Sequence, residues 1–208
     1  EEGYPTYLTS HLASFAERAG VVETQCGATG SLSMILSVSP PGEDFTEPVT
    51  QSLLRICGTL LMLDSKLAHA RQFPAINWSH SYSVYEKELL PHFEKSTSPD
   101  WLPLRKFCRD ILREEVELQE IVEIVGMEGL QDKDRLLMLT AEKIRGTFLG
   151  QNVFSHDAYS SPEQTFAIIK KIADWHGAVA AQLGGDLALA DVLAEAAEEK
   201  EGETGGGA

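Results

Sequence analysis

From Trp101 to Gly126 the chain reads WLPLRKFCRDILREEVELQEIVEIVG, and the class of the fold hangs on this run. Trp101, Leu104, Cys108, Ile111, Leu112, Leu118, Ile121, Val122 and Val125 form an apolar stripe at helical spacing, and Gly126 supplies a stop. So long a stripe needs partner helices to cover it. Downstream, Asp132 is placed to cap a second helix with Leu136, Leu137, Ile144 and Phe148 facing inward. Ser161-Pro162-Glu163-Gln164 has the form of a capping box with proline at the first helical position, and Phe166, Ile169, Ile172, Val179 and Leu183 follow on one face. Gly184-Gly185 ends that helix, and an alanine-rich helix is expected over 186–199. Residues 85–199 thus read as a helical bundle domain, and 200–208 as a disordered tail.

Upstream the pattern is different. Tyr7 to Ala19 has an amphipathic period with Gly20 as its C-cap, and Ser31 to Val38, after a turn at Gly27 to Gly30, reads as a buried strand. Pro40 to Pro48 reads as an ordered loop. An apolar helix is expected from Thr50 through Leu67, and Phe73-Pro74-Ala75-Ile76-Asn77-Trp78 as a very short strand or extended segment. Helix, strand, helix, strand over residues 1–84 is the order of part of an α/β domain. The fold class is therefore α+β, mostly α.

Composition narrows the function. The 208 residues carry 32 Asp and Glu against 17 Lys and Arg, a net charge of −15 that repels a phosphate backbone and argues against nucleic acid. No apolar run approaches the ~20 residues of a membrane span, and the first residues show no secretory signal, so a soluble protein is expected, one that could still serve a membrane machine. Cys26, Cys57 and Cys108 lack metal-ligand spacing and read as reduced, buried thiols. The six histidines form no metal motif; His156-Asp157, the most suggestive pair, reads as a solvated turn or, less simply, a site. The acidic run Arg113 to Glu120 reads as a solvated helix face, with docking onto a basic partner as the alternative. The phosphate-cradling pattern G-x-x-x-x-G-K-S/T is not found. Phe73 and Phe154 stand out as aromatics in nonhelical segments beside the amides of Asn77 and Gln151-Asn152, where composition alone would make them core residues.

Taken together, Glu1-Glu2-Gly3-Tyr4-Pro5-Thr6-Tyr7-Leu8, Ser39 to Thr50 (SPPGEDFTEPVT), Phe73 to Trp78 (FPAINW), Ser81-Tyr82-Ser83, Leu118 to Val122 (LQEIV) and Phe148 to Phe154 (FLGQNVF) resemble the catalytic A subunit of V/A-type rotary ATPases. The resemblance covers about residues 1 to 175 and concerns the C-terminal part of that subunit: the end of a RecA-like nucleotide-binding domain followed by the helical domain. It implies proton- or sodium-translocating ATP hydrolysis or synthesis by a rotary complex. The implied cofactor is ATP or ADP with Mg2+, whose ligands lie elsewhere in the subunit. The implied partners are B subunits in an alternating hexameric ring, central-stalk subunits and, indirectly, the membrane rotor, at a cytoplasmic position peripheral to the membrane. It maps Phe73, Phe154 and Gln151 onto the adenine pocket and puts no catalytic residue in this chain, which alone is expected to be inactive. Gly150 stands where the family commonly has Gln, Glu43 where it commonly has Gly, and Leu60-Leu61 where an aromatic pair is usual. The competing expectation is a free-standing acidic helical interaction module; a phosphate loop encoded in frame before Glu1 would decide against it.

Overall fold

The computed structural model describes residues 3–183 and 189–190, and among these the chain forms seven α-helices and four short strands. It divides into two units, Glu1–Leu63 with Asn77–Glu86, and Asp64–Ile76 with Lys87–Ala208. Asp64–Ile76 therefore packs with the helical part of the chain, although it precedes the division expected near residue 85.

In the first unit, α1 (Leu8–Ala16) packs on α2 (Pro48–Ile56), and the hydroxyls of Thr9 and Ser52 share a hydrogen bond of 2.9 Å. Pro48 opens α2 and the Glu47 carboxylate caps it by accepting from the Thr50 N–H at 3.0 Å. Helix α1 stops at Ala16, and Gly20 does not cap it but begins a strand, β1 (Gly20–Glu23). This strand pairs antiparallel with β2 (Thr29–Leu32), Gly20 opposite Leu32 and Glu23 opposite Thr29. The turn between them is closed by the Thr24 N–H on the Ala28 carbonyl at 2.8 Å, with Gly27 at φ 78°, a region glycine enters without steric cost.

The strand expected over Ser31 to Val38 thus ends at Leu32, and Ile35 is 96% exposed. A buried strand needs a ladder partner and cover on its faces; the apolar run 33–38 has no strand pairing here. The helix expected from Thr50 to Leu67 is also broken. It ends at Ile56, Cys57 turns extended, and Gly58 lies so close to Tyr85 that a Cβ would stand 2.5 Å from the ring. The chain then forms β3 (Thr59–Leu60) and, after Asp64 caps it through the Lys66 N–H at 2.8 Å, α3 (Ser65–His69). Strand β4 (Tyr82–Ser83) pairs with β3, Thr59 opposite Ser83. An all-round apolar pattern does not separate a helix from short extended pieces, and in the extended stretch Leu61 and Leu63 are exposed. The segment Phe73 to Trp78 bends at its start, where Phe73-Pro74 is a cis peptide and the Ile76 N–H reaches back to the Pro74 carbonyl at 2.9 Å, and Ile76 then takes a single β-bridge position, with the Asp64 N–H donating to the Ala75 carbonyl at 2.9 Å, as a very short extended segment.

The helical unit is built from α4 (Glu86–Ser96), α5 (Trp101–Val125), α6 (Asp132–Lys143) and α7 (Pro162–Leu183), with α5, α6 and α7 packed on one another. Helix α5 spans the expected run and stops at Gly126 (φ 74°). Ile111 and Leu112 from α5, Leu136 and Ala141 from α6, and Ile172 and Val179 from α7 are buried together with Ile144. Burial of each Leu, Ile or Val among them contributes roughly 2 kcal/mol. Cover thins along the α5 stripe, however: Leu118 and Val122 are half-buried, and Ile121 and Val125 are exposed. Phe93, Trp101 and Phe166 stack in series, at 4.8 and 6.2 Å between centroids, tying α4, α5 and α7. The capping box closes as expected, with the Ser161 N–H on Gln164 Oε1 at 2.9 Å and the Gln164 N–H on Ser161 Oγ at 3.3 Å. Gly184-Gly185, most of the helix expected over 186–199 and the tail 200–208 lie outside the described residues; Leu189 is buried, and its N–H donates to Asp132 Oδ2 at 3.0 Å. Among the described residues no helix is long and apolar enough to cross a membrane.

Candidate functional site

Within the helical unit, two stretches far apart in sequence face each other across an open cleft of about 960 Å³. One wall lies just beyond α3, where Arg71 takes φ 58° and the Gln72 N–H returns to the Leu67 carbonyl at 3.0 Å, turning the chain into Phe73. The other wall is the end of α6 and the segment after it. There the helix widens into a π-helical turn, Ile144–Leu149, closed by the Gly150 N–H on the Arg145 carbonyl at 2.8 Å. The next amide, Gln151 N–H, donates to the Phe73 carbonyl at 2.7 Å and joins the walls. Beyond it Asn152 and Asp157 shape the loop: the Asn152 N–H donates to Asp157 Oδ2 and the Phe154 N–H to Asn152 Oδ1, each at 3.0 Å.

Phe73, Phe154 and Gln151 therefore line a single cleft. The two rings do not touch: Phe73 is 53% exposed and Phe154 96%, so both leave π-faces open to a ligand. The charged lining is balanced, Arg71 and Arg145 against Glu142 and Asp157. With no excess of positive charge, such a cleft suits a neutral flat ring better than a polyphosphate.

Arg145 and its partner were not singled out by the sequence. Glu115 belongs to the acidic run expected to be solvated, yet it is 1% exposed and pairs with the Arg145 guanidinium. Its position was readable in one respect, since it lies four residues after Ile111 and three after Leu112, on the apolar face. The other sequence candidates find structural roles. Asp157 accepts from Asn152 and from the Ser160 hydroxyl within its loop. His176 shares a hydrogen bond of 2.8 Å with Thr140, and burial holds its imidazole below the ordinary value. All three cysteines are free, but only Cys108 is buried, and burial pushes its thiol up to about 11. Cys26 is exposed, correcting the expectation, because it sits in the tight β1–β2 turn; the hydrogen bond with the Thr24 side chain lowers its thiol. Among the described residues no three His, Cys, Asp or Glu side chains could together hold a metal ion.

Two family models match. Residues 1–83 match the ATP synthase alpha/beta family, nucleotide-binding domain, and residues 90–179 match the C-terminal domain of V and A type ATP synthase. The chain is 46% identical to the A subunit of the A-type ATP synthase of Methanosarcina barkeri over 93% of its own length and 34% of the relative's. It is 49% identical to the corresponding A-type ATP synthase protein of Haloquadratum walsbyi over 83% of this chain and 30% of that one. It thus spans about a third of the length of these relatives. Among solved structures it resembles the ATP synthase subunit NeqB from Nanoarcheaum equitans, with a TM-score of 0.71 and 26% identity over 85% of this chain and 41% of that one. With matches running across both units and through nearly all of its length, the chain belongs to the family of V- and A-type ATP synthase A subunits, of which it represents the C-terminal part.

Proposed function

We propose that this chain supplies the adenine end of the nucleotide site in the catalytic A subunit of a V/A-type ATPase or ATP synthase, working on ATP or ADP with Mg2+. Phe73 and Phe154 hold the base between their open faces, and the Gln151 side chain is the polar candidate beside it. Stacking suits this task because every base has a π-face, and it is worth roughly 1–3 kcal/mol per base. Phosphoryl transfer depends on a phosphate loop, a metal and a residue that orients the nucleophile; none of these is assigned to this chain, whose contribution is to bind and orient. The partners on this reading are B subunits in an alternating ring, the central stalk and, through it, the membrane rotor, with the chain peripheral to the membrane on its cytoplasmic side. The observation that carries it is the convergence of Phe73 and Phe154 on one charge-balanced cleft, fastened by the Gln151 to Phe73 main-chain bond.

The test is nucleotide affinity in the complete subunit. Phe73→Ala and Phe154→Ala are each expected to raise the Kd for ADP about tenfold, by calorimetry. Wild-type affinity in both variants would remove the pair from the site.

A further inference from the structure

We infer that Glu115 and Arg145 are positioning residues of this cleft: their ion pair anchors the π-helical turn that carries Gln151 and Phe154 to the Phe73 segment. The inference rests on the nucleotide reading of the cleft.

A carboxylate as enclosed as that of Glu115 is costly without a counter-charge. Arg145 supplies it, and the Gln119 amide donates to the same oxygen, Oε1, at 3.2 Å. Arg145 is also the residue whose carbonyl receives the Gly150 N–H across the widened turn. One residue is thus fastened by its side chain to α5 and by its main chain to the start of the cleft loop. The next amide along, at Gln151, reaches the Phe73 carbonyl. A continuous series of bonds therefore runs from the packed face of α5 to both aromatic walls. Wide turns of this kind interrupt the regular helical ladder, so the turn needs an external anchor to hold one shape. Base stacking tolerates little misplacement, and a site is only as well placed as the groups that lock it.

Gly150 fits this account. A Cβ there would stand 3.1 Å from the Arg145 carbonyl oxygen and 3.2 Å from that of Gly146, so a side chain would press on the acceptor that closes the turn. Glycine in place of the expected glutamine gives up an amide and keeps the turn tight. Pairing with Glu115 also compensates the Arg145 charge, leaving a donor group at the cleft without a net pull on phosphate.

In the complete subunit, Glu115→Gln, Gly150→Ala, Arg145→Met and Arg145→Lys would be compared with Phe73→Ala by calorimetry with two probes, ADP and inorganic pyrophosphate, which has no base. Glu115→Gln and Gly150→Ala are expected to weaken ADP about tenfold while pyrophosphate stays within about twofold. Arg145→Lys, which keeps the charge without the planar fork, should recover part of the loss seen in Arg145→Met. Unchanged ADP affinity in Glu115→Gln and Gly150→Ala, with Phe73→Ala weakened, would overturn the positioning role and leave the nucleotide reading intact. Parallel loss of both probes would also overturn it, as general unfolding. Wild-type affinity in Phe73→Ala and Phe154→Ala would defeat the nucleotide reading and this inference with it. Should Glu115→Gln fail to fold, Gly150→Ala, outside the packed core, decides alone.

Discussion

Glu47 shows how much a single side chain can be asked to do. Its Oε1 accepts from the Tyr4 hydroxyl at 2.6 Å, and its Oε2 accepts from the Thr50 N–H and hydroxyl at 3.0 and 2.8 Å. The Tyr4 bond first, then those from Thr50, lower its carboxyl from 4.5 to about 2. Below pH 4.5 the unfolded chain therefore takes up a proton that the folded chain refuses until the pH nears 2. The stabilisation is complete above 4.5 and is lost as pH falls through that window. Thermal melts across this range should fall more steeply for the wild-type chain than for Glu47→Gln. Parallel curves would mean that these bonds do not hold in solution. The same cap fixes where α2 starts, close to the Thr9 and Ser52 contact that seats α1.

Among the elements, α7 was the most readable, because its start is written locally in Ser161-Pro162-Glu163-Gln164 and both reciprocal bonds form. Ser161→Ala removes one of them and should cost about 1 kcal/mol in urea unfolding, without moving the slope; a loss of a few tenths or less would show that proline alone sets the start. Helix α5 was legible in its limits too, from Trp101 to Gly126, since a sustained period and a glycine stop both act within a few residues. What failed depended on distant neighbours. Ser31 to Val38 carried strand composition but only β2 found a partner, and Thr50 to Leu67 carried helix composition although the chain turns extended at Cys57 and packs Gly58 against Tyr85. The stripe on α5 likewise outruns its cover at Ile121 and Val125, which are exposed. Phe73, Phe154 and Gln151 were grouped in advance through short motifs that resemble a known family, and the fold brings the three to one cleft. For Glu115 the local pattern held only its place on the apolar face of α5, and the identity of its partner Arg145, on a different helix, is not written in either local pattern.

On the scale of the whole chain, apolar surface is unevenly covered. The fully buried apolar side chains among the described residues all lie in the helical unit, whereas in the first unit Val21, Ile35, Leu63 and Val84 are exposed and the buried residues are Thr50 and Ser52. Exposed strands and apolar side chains seek partners, and a net charge of −15 only partly opposes this. The chain by itself is expected to self-associate in light scattering, increasingly so in added salt, which screens the repulsion. A monodisperse monomer at all concentrations and salt levels would refute this. The junction between Gln151 and Phe73 has a different bearing, on inheritance. It is made of main-chain atoms on both sides, so it is blind to the identity of the residues it joins. Proline at 151, lacking an N–H, is the natural replacement that directly deletes its donor. Every other substitution at 73 or 151 keeps both main-chain partners, so the frame of the cleft can outlast changes in the side chains that line it.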